Sequence, residues 1–472
     1  MFKQLRIQNF KSWADTGEFR MAPLTGFFGT NSSGKTAILQ FLLMLKQTVE
    51  SSDRNRILHL GSDQYSYVDL GTTYDISHRH RLPEKLKFSF EWIPKLIDQN
   101  ILWIPSVFSL NQEGGFSGEL SHYNSPLKFN SEIDIDRDQI SINFFQYFFE
   151  VKDHQWNCFG IHEKIVDNGI QTYQLLTVGD LIQNIRESQF DKLYDHLGIT
   201  INVFKNYGVQ AISSTSQGFN IFDNLTGLAL AYEDLFQNIY YLAPLREYPK
   251  RNYQWSGESP QNVGKYGELT VAALLASRKK DMEVELSVAR ALQKLELIYN
   301  FRVNRITPNR SDYEILVQRS PNSAEVLITD VGFGVSQVLP ILVLCYYAPK
   351  GATLIFEQPE IHLHPSVQSG LADIFIDVIK TRNIQIIIES HSEHLLRRLQ
   401  RRMAEEKDGF TNDDAALYFC KMNDQGDSEL VTLDIDDYGN ICNYPEGFFG
   451  DEMGDLVAMT EAAINRQMNV GA

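Results

Sequence analysis

Gly29-Thr30-Asn31-Ser32-Ser33-Gly34-Lys35-Thr36 fits the pattern G-x-x-x-x-G-K-[ST]. A loop of this spacing turns successive backbone N–H groups toward one central anion. The lysine ammonium then reaches the outer phosphates, and the threonine hydroxyl ligates Mg²⁺. The flanks agree. Leu24 to Phe28 reads as a short buried strand, and Ala37-Ile38-Leu39-Gln40-Phe41-Leu42-Leu43-Met44 opens a helix whose N-terminal dipole favours phosphate. Strand, loop and helix in this order predict a nucleotide site built from Gly29, Asn31, Ser32, Ser33, Gly34, Lys35 and Thr36, with ATP and Mg²⁺ as its ligands.

Downstream, the chain supplies the rest of an α/β core. Ala352-Thr353-Leu354-Ile355-Phe356 and Ile384-Gln385-Ile386-Ile387-Ile388 read as buried parallel strands, with a helix over 367–380 between them. Magnesium at a phosphate loop calls for an acid at the end of an apolar strand, and Glu357 provides it beside Thr36. A glycine-led helix over Gly332 to Tyr347 precedes this strand. Residues 265–300 read as helical, and Tyr313 to Val317 and Lys85 to Trp92 as strands. The last sixty or so residues carry a charged loop, a strand pair and a helix near 452–466. Residues from about 97 to 235 are aromatic-rich and irregular, without a repeat period or heptads, and read as an inserted α+β lobe.

Composition narrows the class. The 472 residues carry a net charge of −17, which argues against a surface that coats DNA indiscriminately. A local basic groove stays open, with Arg246, Lys250 and Arg251, or Arg397, Arg398, Arg401 and Arg402, as its candidates. The arginine cluster also reads as a solvated helix end. No apolar run is long enough to span a bilayer, and the alternating Met1 to Ile7 lacks the apolar run of a signal peptide. Four cysteines lie far apart without a C-x-x-C pair, as reduced thiols in a cytoplasmic protein do. His362 and His364 have no third ligand nearby and read as loop residues rather than a metal pair.

The segment Leu354-Ile355-Phe356-Glu357-Gln358-Pro359-Glu360, followed by Ile-His-Leu-His-Pro, resembles the Walker B and D-loop segment of ATPases in the SMC, RecF and OLD branch of the ABC superfamily. In that pattern Glu357 takes the aspartate place, and Gln358 takes the place of the glutamate that polarises the attacking water. A carboxamide orients water by hydrogen bonding but accepts no proton near neutral pH. Turnover is therefore expected to be slow or borrowed from another group, with Glu360 as the obvious substitute. The resemblance also makes His391 the switch histidine. Asp330 to Pro340 resembles the signature segment that grips a γ-phosphate held by a second subunit, through Gly332, Gly334 and Ser336. Either Gly332 or Ser336 takes the serine role there. Ile7-Gln8-Asn9-Phe10-Lys11-Ser12-Trp13 matches the N-F-x-S strand and turn of the branch, which implies Lys11 and Ser12 as nucleotide contacts; an ordinary edge strand and turn fits equally.

The expected fold is thus an ABC-type ATPase head with a mixed or parallel sheet core. Its halves are residues 1–95 and 326–400, with an inserted lobe over 96–240, a returning region over 241–325 and a small C-terminal region over 401–472. Tyr241 to Arg246 and Tyr444 to Phe449 add a likeness to OLD-like AAA/ABC ATPases common in bacterial anti-phage defence operons, the Septu ATPase PtuA among them. That likeness implies a homodimer or higher homo-oligomer across ATP and a separately encoded effector, in Septu an HNH nuclease. The rival expectation is a DNA-repair ATPase of RecF type that binds DNA directly. A transporter subunit fits poorly, because nearly 300 residues separate loop and signature.

Overall fold

The structure is a computed structural model. It describes the chain apart from residues 54–55, 64, 95–102, 111–115, 123–125, 138, 152–154, 166–170, 179–199, 204–208, 213–218, 280–282, 446–447, 449–451 and 471–472. Leu24–Gly29, the strand before the phosphate loop, lies inside a six-stranded sheet. Its spatial order is Ile239–Leu242, Thr353–Glu357, Gln385–Glu389, Leu24–Gly29, Ala415–Met422 and Ser428–Thr432. The first five strands run parallel, and the last pairs antiparallel as a hairpin.

The parallel strands are largely apolar because both sheet faces are covered. Successive side chains point to opposite faces, so one strand feeds two cores. Phe27, Ile355, Ile387 and Tyr418 pack with Ile38, Phe41 and Leu42 of the helix Lys35–Glu50. Phe28, Leu354, Phe356, Ile388 and Phe419 pack on the other side, against the helices Phe333–Tyr347, Pro365–Arg382 and Glu393–Ala404. Burying one such aliphatic or aromatic side chain contributes roughly 1.5–3 kcal/mol, which anchors both helical layers to the sheet.

A second, antiparallel sheet runs in the order Gln171–Val178, Gln155–Ile165, Ile140–Val151, Leu127–Ile135, Glu84–Trp92, Phe2–Phe10 and Trp13–Asp15, with Phe19–Arg20 also on Phe2–Phe10. This revises the boundary expected at residue 95. Leu127–Ile135 pairs residue for residue with Glu84–Trp92, from Glu84 opposite Ile135 to Trp92 opposite Leu127. The described strands between 127 and 178 therefore extend the N-terminal sheet rather than forming a lobe of their own. Alternation explains it: Leu127, Phe129, Ile133, Phe145 and Tyr147 continue the apolar face begun by Leu86, Phe88 and Phe90. Much of the remaining expected insert falls outside the described residues. Helices Thr270–Ser277 and Glu283–Lys294 and the strand Asp312–Gln318 stand where the periodicity predicts them.

Candidate nucleotide site

The phosphate loop and the segments carrying Glu357, Gln358, Glu389 and His391 meet at the C-terminal ends of the parallel strands, where open α/β sheets collect their ligands. The loop needs unusual backbone. Gly29 has φ 137°, and a Cβ there would stand 2.1 Å from the Cys420 carbonyl oxygen. Gly34 has φ 91°, and a Cβ there would meet Ser428 Oγ at 2.3 Å. Only glycine satisfies both demands. Ser32 also lies in the left-handed region, at φ 60°. Thr30, Asn31 and Ser32 are exposed at the loop tip, whereas Ser33 is buried and donates to the Thr30 carbonyl at 2.8 Å.

Lys35 folds its buried ammonium into the loop, donating to the carbonyls of Gly29 at 3.1 Å and Thr30 at 2.6 Å. Burial lowers its pKa, and the carboxylates of Glu389 and Glu360 oppose that shift. Arriving phosphate oxygens would take over these hydrogen bonds as stronger, charge-assisted ones.

The Thr36 hydroxyl donates to Glu389 Oε1 at 2.9 Å. Motif spacing did not single out Glu389. The one signal available was a carboxylate ending an otherwise apolar strand, directly before Ser390 and His391. Glu357 ends the next strand over, in register with Glu389. Desolvation, and then the neighbouring Glu389, push Glu357 up to about 7, while a hydrogen bond from the Tyr241 hydroxyl pulls the other way. Among the described residues no group of three or more His, Cys, Asp or Glu side chains is placed to hold a metal ion. Thr36 with one or two carboxylates suits Mg²⁺, which keeps several waters and takes phosphate oxygens as its remaining ligands.

Gln358 leaves the strand with φ 43°, and its N–H donates to the Glu389 carbonyl at 2.8 Å. Glu360 is buried, and its Oε1 accepts from the His391 N–H at 2.6 Å. It braces the histidine turn instead of standing open beside Gln358. The His391 ring is exposed and lies near the Gly29 carbonyl and Lys35; desolvation first, then the Lys35 charge, lower its pKa.

Lys11 and Ser12 sit against the loop and its helix. Lys11 reaches Gln40 on the loop helix at 2.5 Å. Ser12 Oγ accepts from Ser428 Oγ at 2.7 Å, and the pair packs against Gly34. Ser428 and Asp427 were not anticipated. Asp427 holds Arg79 at 2.9 Å and His78 at 3.1 Å, while His78 Nδ1 lies 2.8 Å from the Lys11 carbonyl. These residues come from distant parts of the chain, so no local pattern announces them.

Gly332 is exposed at the N-terminus of its helix, with open space where a Cβ would be. A Cβ on Gly334 would meet Leu363 at 3.9 Å, an ordinary contact. Ser336 is turned inward: it is buried, and its hydroxyl donates to the Phe333 carbonyl at 2.7 Å. Of the two candidates for the serine role, Gly332 faces outward and Ser336 does not.

Residues 270–396 match the family model described as AAA ATPase domain. The matched segment contains Gly332, Glu357, Gln358, Glu389 and His391, and it stops short of the phosphate loop in sequence while meeting it in space. Residues 410–459, which supply Asp427 and Ser428, match the model described as Protein of unknown function (DUF3696). No curated protein matches the chain. Among solved structures, the chain is similar to the SMC head domain from Thermotoga maritima at 12% identity, covering 92% of this chain and 99% of that one, with a TM-score of 0.36. It is likewise similar to an SmcHead bound to the C-winged helix domain of ScpA, at 13% identity with 92% and 98% coverage and a TM-score of 0.39. A third is the Smc head domain with an extended coiled coil bound to the C-terminal domain of ScpA, from Pyrococcus furiosus, at 12% identity, 92% and 96% coverage and a TM-score of 0.39.

Of the basic candidates around this AAA-matched segment, Arg246 is buried and the others pair with acids, Lys250, Arg251, Arg397 and Arg401 while largely exposed. The Arg246 Nε and Nη1 lack partners among the described residues, and burial lowers its pKa to about 10 against the opposing charge of Glu360. Arg251 pairs with Asp330 at 2.9 Å and Lys250 with Glu247 at 2.7 Å. Arg398 and Arg402 both bind Asp373, Arg397 binds Glu393 and Arg401 binds Glu405. His364 Nδ1 lies 2.8 Å from Ser366 Oγ at its helix start, and His362 packs its ring on Phe333 with centroids 5.3 Å apart. No described helix is long and apolar enough to cross a membrane.

Proposed function

We propose that this chain is an ABC-type ATPase head that closes on Mg²⁺–ATP as a homodimer or higher homo-oligomer. It turns the nucleotide over slowly and so controls a separately encoded effector, an HNH-type nuclease of an anti-phage defence system. The observation that carries the nucleotide reading is the meeting of Lys35, Thr36, Glu357, Glu389 and His391 at one end of one parallel sheet. In this reading the loop amides and Lys35 bind the phosphates, and Thr36 with the strand-end carboxylates holds the metal. Magnesium, when bound, neutralises charge that develops on the transferred phosphoryl group. Gln358 orients water without removing its proton, His391 contacts the γ-phosphate, and Glu360 keeps the His391 backbone in place. The exposed Gly332 end of its helix is free to cap a nucleotide on a second copy. The effector assignment rests on the family resemblance alone.

The test is calorimetric titration of the full chain with ATP and Mg²⁺, followed by solution mass with and without nucleotide. The expected result is binding and a shift to dimer or higher. Lys35→Ala should weaken binding by roughly 10–150-fold, the value of a charge-assisted hydrogen-bond set. DNA cleavage is then followed with the product of the neighbouring gene present. Tight, ATP-dependent DNA binding by the chain alone would instead favour the RecF-type reading. The pairing of the arginine and lysine candidates with acids counts against that outcome.

A further inference from the structure

Three features converge on Glu389. The first is its place in the sheet. Its strand pairs directly with the loop strand, Glu389 opposite Phe27, whereas Glu357 lies one strand further away. Neighbouring strands are about 4.8 Å apart, so the Glu389 backbone is nearer to the loop by about that distance. The second is the hydrogen bond from Thr36. A hydroxyl has one proton and two lone pairs. With the proton committed to Glu389 Oε1 at 2.9 Å, both lone pairs are turned away from the carboxylate, the orientation a cation requires. The third is that Glu389 Oε2 is buried and has no hydrogen-bond partner among the described residues. Leaving such an oxygen unsatisfied is costly, so a site that retains one holds it ready for a further donor.

We propose that Glu389 is the positioning carboxylate of the metal site: it fixes the Thr36 hydroxyl as a magnesium ligand and offers Oε2 to a metal-bound water. This rests on the reading of the site as a Mg²⁺–ATP site. Glu389 acts through Thr36, and Glu357, with the Tyr241 hydroxyl against it, lies on the far side from the loop.

The experiment titrates ATP into the full-length protein with Mg²⁺ and again with EDTA, and compares the ratio of the two affinities. The proteins are wild type, Glu389→Gln, Glu389→Met, Thr36→Ala and the Thr36→Ala/Glu389→Met double variant. Glu389→Met should lower the magnesium enhancement, the ratio of the two affinities, by about tenfold or more, as expected for a charge-assisted contact. Glu389→Gln, which retains an acceptor and the side-chain shape, should lose several-fold and keeps the test open if the Met variant melts early. The double variant should lose less than the product of the two single losses, because part of the carboxylate's effect works through that hydroxyl. Wild-type magnesium dependence in both Glu389 variants would overturn the proposal. So would losses that multiply in the double variant. A wild type that binds no ATP at all would overturn the nucleotide reading itself, a result distinct from either.

Discussion

Glu357 and Glu389 end adjacent parallel strands in direct register, so two buried carboxyl groups stand side by side at the same end of the sheet. Burial holds both pKa values above the usual carboxylate range, with Glu389 adding to the rise at Glu357, to about 7, and Glu360 adding to the rise at Glu389. The charge of Lys265 opposes the upward shift at Glu357, and that of Lys35 opposes it at Glu389.

That pair predicts how stability depends on pH. Folded Glu357 holds its proton more tightly than the unfolded chain does, so its contribution is complete below about pH 4.5 and is lost as pH rises through about 7. Ligand-free wild type should lose up to about 3 kcal/mol from this source between pH 5 and 8, and Glu357→Gln should not. Denaturant melts of both proteins across that range read the difference directly. Mg²⁺–ATP, which favours the ionised form, should flatten the wild-type slope. Parallel pH profiles for the two ligand-free proteins would refute the assignment.

Gly34→Ala tests the loop backbone. The methyl would stand 2.3 Å from Ser428 Oγ, on a residue at φ 91°. Left-handed backbone on a non-glycine residue costs about 1–3 kcal/mol, before the clash is counted. Thermal melting should show a loss of that order or larger, together with loss of ATP binding. Adding Ser428→Gly should recover only part of the loss, because Ser12 Oγ would still stand 2.9 Å from the new methyl and the backbone angle is unchanged. Full recovery by the second change would show that the backbone angle is not limiting.

Gln358→Glu supplies a group that accepts a proton. General-base assistance is typically worth 10²–10⁴ in rate, so steady-state phosphate release should rise by about tenfold or more. Equal rates in the two proteins would move proton removal to another residue.

Gly332 and Ser336 separate surface from interior. Gly332→Glu adds a charge on an exposed position with room for it, so monomer stability should change by less than about 0.5 kcal/mol while ATP-driven association is lost. Ser336→Ala removes one internal hydrogen bond, costing about 1 kcal/mol, and should leave association intact. The reverse pattern in light-scattering mass measurements would place the contact at Ser336.

The features legible from the chain alone are those whose physics is contiguous. A phosphate cradle is eight consecutive residues with glycines where φ turns positive, and a doubly covered strand is a run of apolar side chains. The loop, its helix, the strands ending at Glu357 and Glu389, and the helix from Phe333 all announce themselves in this way. Packing settled the rest. Thr36 and Glu389 are 353 positions apart, and Ser12 and Ser428 are 416 apart. Sheet pairing carries the antiparallel layer past residue 95, and burial turns Ser336 and Arg246 inward. Hydrogen bonds and strand neighbours form across the sheet, between residues with no shared local pattern, so they exist only once the chain has folded.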